Sequence, residues 1–189
     1  MAITTWGVKS PLITLSNNNL RATVTGSPAD FTGVKGSAGF STGKKYWECT
    51  IVSSTNQCMI GVADDYFSLV GYADYTSTHH KSYWQSSGAL QPGGVAFGTP
   101  YVTGDIIGVA LDADAKTVKF YKNNVLQGGG AVSCSALSGN IYPFAMLYNA
   151  GNAVDVNFGA TAFLYTPPSG YAGIDVSAAF QRPQAIGGF

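Results

Sequence analysis

The chain has 189 residues, with ten Lys plus Arg, ten Asp plus Glu, and only 11% charged residues, against about 25% in an average domain. A formal net charge of zero supplies no clustered positive field, which excludes a general electrostatic grip on nucleic acid or on an anionic membrane surface. A hydrophobic fraction of 46% excludes disorder, and many glycines and aromatics with few charges favour short strands and tight turns over helices.

In chain order, strand signals fall at residues 20–25 (LRATVT), 46–52 (YWECTIV) and 58–63 (CMIGVA). Further ones follow at 106–111 (IIGVAL), 118–121 (VKFY), 142–148 and 153–158. The 46–52 segment alternates: Trp47, Cys49 and Ile51 share one face, and Tyr46, Glu48 and Thr50 the other. The Trp47 face carries no charge to desolvate and is predicted to face the core. Residues 112–116 and the pair Asn123-Asn124 read as turns, since Asn tolerates positive φ. Lys119 and Lys122 flank Phe120 and Tyr121 and are expected to mark a charged sheet edge. Strands punctuated by Gly, Asn and Asp predict an all-β sandwich or barrel, with at most one helical turn, at 177–180. Residues 64–81 fit neither period and read as a long irregular connection, of the kind that often carries function.

The chemistry-bearing residues are few. Glu48 is the sole glutamate, and His79 and His80 are the sole histidines. A hydrolase would need Asp64, Asp65, Asp74 or the His pair to converge in one cleft, and no enzyme is expected. Asp112-x-Asp114 lacks the remaining oxygen ligands of a calcium loop and reads as a hairpin turn. Adjacent residues in extended chain point to opposite sides, so His79 and His80 are not expected to share a metal. The glycine-rich run 33–39 lacks the Gly-Lys-Ser/Thr ending of a phosphate loop. No metal and no cofactor are expected. No apolar run at the N-terminus is long enough for a signal peptide, and none elsewhere approaches the ~18 residues of a membrane span. Cys49, Cys58 and Cys134 therefore read as reduced, buried thiols of a protein made in the cytoplasm, with a Cys49–Cys58 pair across a hairpin as the alternative.

Six segments in order resemble the SPRY domain family. They are residues 41–48 (STGKKYWE), 60–63 (IGVA), 104–112 (GDIIGVALD), 118–124 (VKFYKNN, with Asn124 in place of the usual Gly), 141–144 (IYPF) and 154–159 (VDVNFG). The resemblance covers about residues 20–159 and implies an antiparallel β-sandwich of the concanavalin-like type. On that basis residues 1–171 form the sandwich domain, with core motifs at 20–159, and residues 172–189 an extended C-terminal tail. In Gly104-Asp105 the Asp is expected to accept backbone N–H groups at the turn that feeds the next strand.

Residues 16–24, 157–163 and 166–171 further resemble bacteriophage-encoded SPRY-like proteins. That likeness implies a non-enzymatic virion structural protein: a decoration, tail or fibre component, synthesised in the host cytoplasm. Its partners would be other virion proteins, with no nucleic acid and no membrane, and it would be a homo-oligomer or multicopy on the particle. A host-receptor or carbohydrate-binding module on the particle is the alternative.

Two groups of residues are candidates for contact. Family ligands bind mainly on loops at one end of the sandwich, which points to Tyr66, Phe67, Tyr72, Tyr75, His79 and His80 in the aromatic connection. The alternative is that about half of the aromatic rings in this connection cap the sandwich core, Tyr72 and Trp84 first among them. The tail holds Ile174, Val176, Phe180, Ile186 and Phe189, with only Asp175 and Arg182 charged, and is expected to make contacts between subunits.

Overall fold

The computed structural model describes residues 3–27, 30–71 and 77–175. Among the described residues there is no helix, and the strands build two antiparallel sheets packed face to face. The strands are β1 (Trp6–Lys9), β2 (Ile13–Ser16), β3 (Arg21–Val24), β4 (Thr32–Gly36), β5 (Lys44–Ser53), β6 (Cys58–Ala63), β7 (His80–Trp84) and β8 (Ala89–Gln91). They continue with β9 (Val95–Ala96), β10 (Ile106–Asp112), β11 (Thr117–Lys122), β12 (Val125–Leu126), β13 (Val132–Ser133), β14 (Tyr142–Leu147), β15 (Ala153–Asn157) and β16 (Ala172–Gly173). One sheet runs β1-β4-β14-β6-β7-β8-β9. The other runs β12-β11-β10-β5-β15-β3-β2, with β13 beside β11 and β16 beside β5.

The core follows from alternation. On β5, Trp47, Cys49 and Ile51 point between the sheets, as the sequence pattern predicts. Ile107, Val109 and Leu111 of β10 join them, facing Ile60 and Val62 of β6 and Tyr83 of β7. Each such large side chain contributes about 1.5–3 kcal/mol on burial. Trp6 closes one flank by an edge-on contact with Phe158, centroids 5.5 Å apart.

The turns obey the residue chemistry. Asn123 and Asn124 hold φ of 47° and 69°, the left-handed geometry of a tight hairpin from β11 to β12. Asp105 accepts the Val102 N–H at 2.8 Å, as anticipated, and also the Asn123 side-chain amide. All three cysteines are free and buried: Cys49 and Cys58 lie on different sheets, so the hairpin pairing does not occur.

Some expectations are corrected. The glycine-rich run is strand β4, an inner strand where Gly36 lets the Pro143 ring of β14 approach to 3.2 Å of a notional Cβ. The hairpin carrying Lys119 and Lys122 is no open edge, because β12 and β13 both pair with β11. The irregular connection ends at His79, one residue before β7, and is tied to β4 by a Thr32–Val70 bridge. Trp84 is only partly buried and packs against a second apolar cluster outside the main core.

Candidate functional site

The connection after β6 is a cover laid across the outer face of the seven-stranded sheet. Phe67 and Leu69 pack there with Met59, Phe144 and Met146, apart from the core between the sheets. Phe67 meets Phe144 edge-on at 5.0 Å and the His80 ring at 4.9 Å. Phe67 and His80, 4% and 1% exposed, are therefore structural and not presented on a loop surface. His80 sits in β7 with Nδ1 against the Ser82 hydroxyl at 3.2 Å.

Two aspartates fix this cover. Asp64 is fully buried; its Oδ1 accepts the Tyr66 N–H at 2.9 Å and its Oδ2 the Ser138 N–H at 3.0 Å. His79 Nδ1 stands 3.0 Å from the same Oδ2, and a carboxylate can only accept, so Nδ1 carries the hydrogen. Asp65 accepts the Asn140 N–H at 3.2 Å and the Tyr142 hydroxyl at 2.7 Å. That hydrogen bond, with burial second, raises the Tyr142 pKa. Lys35 donates to the Asp64 carbonyl at 3.1 Å and lies over the Tyr142 ring, and burial lowers its pKa against the pull of Asp65 and Asp64. Both carboxylates are thus committed to holding the connection against the 138–142 segment.

The surface this leaves is small. Tyr66, 71% exposed, stands beside the half-exposed His79 ring with centroids 5.7 Å apart. Val70 is exposed further along. Of the predicted contact residues the structure brings together Tyr66 and His79. Tyr72 and Tyr75 lie outside the described residues. Among the described residues no cluster of three or more His, Cys, Asp or Glu forms a metal site, and Asp74 lies outside them.

The outer face of β5 is covered too, by the chain after β15. Glu48, only 4% exposed, accepts the Leu164 and Tyr165 N–H groups, each at 2.9 Å. It also accepts the Tyr46 hydroxyl at 3.2 Å. Burial first, and Glu48 second, push the Tyr46 pKa well above its ordinary value, so this hydroxyl stays a donor. The Tyr46 ring lies over Gly108, where an added Cβ would stand 2.6 Å from the hydroxyl oxygen, and packs edge-on to Phe163 at 5.0 Å. Ala172 and Gly173 then pair with Lys45 and Tyr46 in parallel, and Asp175 accepts the Thr4 N–H and hydroxyl at 2.8 Å.

Of the predicted tail residues, Ile174 is partly buried and packs against the chain's own core. Val176, Phe180, Ile186 and Phe189 lie outside the described residues. The Glu48 clamp was not foreseen. Its signal was a lone glutamate on the second face of an alternating strand, two residues from Tyr46.

Comparison with known proteins agrees with this geometry. Human Ran-binding protein 9 is 29% identical over 170 residues, 83% of this chain and 22% of that protein. A probable ATP-dependent RNA helicase, ddx1, of Dictyostelium discoideum is 30% identical over 141 residues, 70% of this chain and 16% of that protein. The chain thus spans well under a third of these relatives' own length. The crystal structure of the SPRY domain of human HERC1 superposes with a TM-score of 0.61 at 21% identity, covering 79% of this chain and 96% of that one. A human SPRY domain gives a TM-score of 0.63 at 19% identity, covering 80% and 98%. Residues 44–161 match the family described as SPRY domain, and the chain belongs to that family.

Proposed function

We propose that the chain is a non-enzymatic protein-interaction domain that serves as a structural component of a bacteriophage particle, as a decoration, tail or fibre subunit present in several copies. The observation that carries the non-enzymatic part is the commitment of Asp64 and Asp65: the residues best placed for acid–base chemistry are spent on backbone N–H groups and a tyrosine hydroxyl. The virion part rests on the likeness of residues 16–24, 157–163 and 166–171 to phage-encoded SPRY-like proteins. The relatives named above are eukaryotic and larger, and the Ran binding recorded in one name belongs to that protein. In this reading residues 176–189 dock on a neighbouring subunit, since they hold four large apolar side chains and one charge, Arg182. Mass spectrometry of purified particles tests the proposal. Absence from particles, with abundant protein in the infected-cell lysate, overturns it. A chain ending at Asp175 should fold and fail to incorporate.

The exposed Tyr66 ring beside His79 favours a second reading, a host-receptor or glycan contact, because an aromatic face stacks on sugars or anchors a protein interface. A glycan array and a cell-adhesion assay with Tyr66→Ala test it. Phe67→Ala does not, because that ring is part of the fold.

A further inference from the structure

At one end of the sandwich a cleft of about 240 Å³ opens between β7 and the turn after β13. Its walls include Thr78, Lys81, Pro92, Ser133, Cys134 and Ser135. Lys81 is directly opposite Val62 in the antiparallel pairing of β6 and β7, and Val62 belongs to the core between the sheets. Side chains of an opposed pair leave the sheet on the same side. Lys81 therefore projects inward at the rim of the sandwich, where the alternation of β7 calls for an apolar residue such as Tyr83, two positions on.

Among the described residues Lys81 makes no ion pair and no side-chain hydrogen bond. Burial lowers its pKa, and the one opposing influence is the Cys134 thiol. That thiol is itself pushed up to about 11, chiefly by burial, so at neutral pH it is uncharged. Asp112, the carboxylate that acts on Cys134, is engaged by Lys44 at 3.2 Å and by the Ala115 N–H. Lys116 is spent on the Leu137 carbonyl at 2.8 Å. The Ser135 hydroxyl accepts from Ser133 at 3.0 Å, and its own hydrogen has no acceptor among the described residues. The Thr78 hydroxyl has no partner among them either. A half-desolvated cation without a partner costs stability, and hydroxyl donors beside it in a cleft suit a small anion.

We propose that this cleft binds a carboxylate, the acidic side chain of a partner protein, with Lys81 as counter-ion and the Ser135 and Thr78 hydroxyls as further donors. One free ammonium matches a monoanion better than a phosphate dianion. The cleft volume takes a carboxylate with its short stem. The site uses Lys81 of β7 and the turn after β13, with neither Tyr66 nor His79 among its walls, and its argument does not draw on the virion reading.

The test is a titration of the full chain with sodium acetate, N-acetylglutamate and inorganic phosphate, each at constant ionic strength, followed by amide shifts in two-dimensional NMR. Saturable shifts from N-acetylglutamate at Lys81, Ser133 and Ser135 are expected. Lys81→Met, which keeps the stem, should raise the half-saturating concentration roughly tenfold or more, the scale of one charge-assisted hydrogen bond. Lys81→Arg should retain binding, which separates loss of charge from loss of fold. No saturable shift at these amides, or equal affinity in Lys81→Met, overturns the proposal. Phosphate binding tenfold tighter than N-acetylglutamate overturns the carboxylate assignment.

Discussion

Both sheets of this sandwich are covered on their outer faces, and the two covers differ in what lies beneath them: an apolar cluster flanked by Asp64 and Asp65 under one, a single buried carboxylate under the other. Over the seven-stranded sheet, Phe67 and Leu69 press onto Phe144 and Met146. Over the nine-stranded sheet, a buried carboxylate, Glu48, takes two backbone N–H groups of the segment that crosses it. Apolar contact is non-directional, so in the first cover the rings supply burial while Asp64 and Asp65, accepting from Tyr66, Ser138, Asn140 and Tyr142, fix its position. In the second cover, hydrogen bonds to one carboxylate fix position and chain direction, and the Asp175–Thr4 contact continues that hold. The first cover presents the exposed Tyr66 ring.

Removing the ring that anchors the first cover should have the largest effect. Phe67→Ala leaves a cavity beside Phe144 and His80 and should cost about 3–5 kcal/mol, as buried Phe truncations do. Urea unfolding measures it. A loss under 1 kcal/mol would mean the cover is dispensable to the fold. The polar cover should be less costly to break. Glu48→Ala strands two part-buried N–H donors and the Tyr46 hydroxyl, for a loss of about 1–3 kcal/mol. Glu48→Gln, whose amide oxygen still accepts, should lose less. Equal loss in both variants would show that charge, and not acceptor geometry, holds the segment.

How much of this was legible in the sequence depends on which face carried the signal. Trp47, Cys49 and Ile51 announced the core because alternation exposes the more apolar face. Alternation places Glu48 on the face opposite Trp47 but does not say whether that face is bare or covered. The Asn123-Asn124 turn and the Asp105 acceptor were legible because local backbone demands select those residues. Neighbouring Tyr66 and Phe67 looked equivalent; only the buried Asp64, which turns the chain between them and β6, sends one ring out and the other in. β4 was hidden because its glycines, required by the close approach of β14, carry no strand signal. Lys81 gave none either, since its inward direction depends on pairing with Val62.

Acid should separate the covers next. Asp112 is held below the usual carboxylate value by the Ala115 N–H first, then by Lys44, which also lies over the Tyr171 ring of the polar cover at 5.8 Å. A carboxyl with a depressed folded pKa contributes fully above its unfolded value, near 3.8, and its contribution is lost as pH falls through the folded value. Asp112→Asn should therefore flatten the loss of stability below about pH 4 while Phe67→Ala leaves that slope intact. Thermal unfolding between pH 2 and 6 measures both. An unchanged slope in Asp112→Asn would remove the carboxylate from the account.

The smallest expected effect is a null coupling, and it is the sharpest test of the comparison. If the covers are independent devices, the losses in Phe67→Ala and Glu48→Ala should add in the double variant to within about 0.3–0.5 kcal/mol. Independence is expected because the two sites sit on opposite outer faces, with the layer between the sheets, about 10 Å thick, separating them. That layer is filled by close-packed side chains such as Trp47 and Ile60, which have no reason to adopt a second arrangement when an outer face is disturbed. A coupling above 1 kcal/mol would mean that the sheets themselves shift when one cover is lost. The view of a rigid sandwich with two independent covers would then fail. Urea titrations of the wild type, both single variants and the double variant give the number directly, provided the transitions keep a common slope.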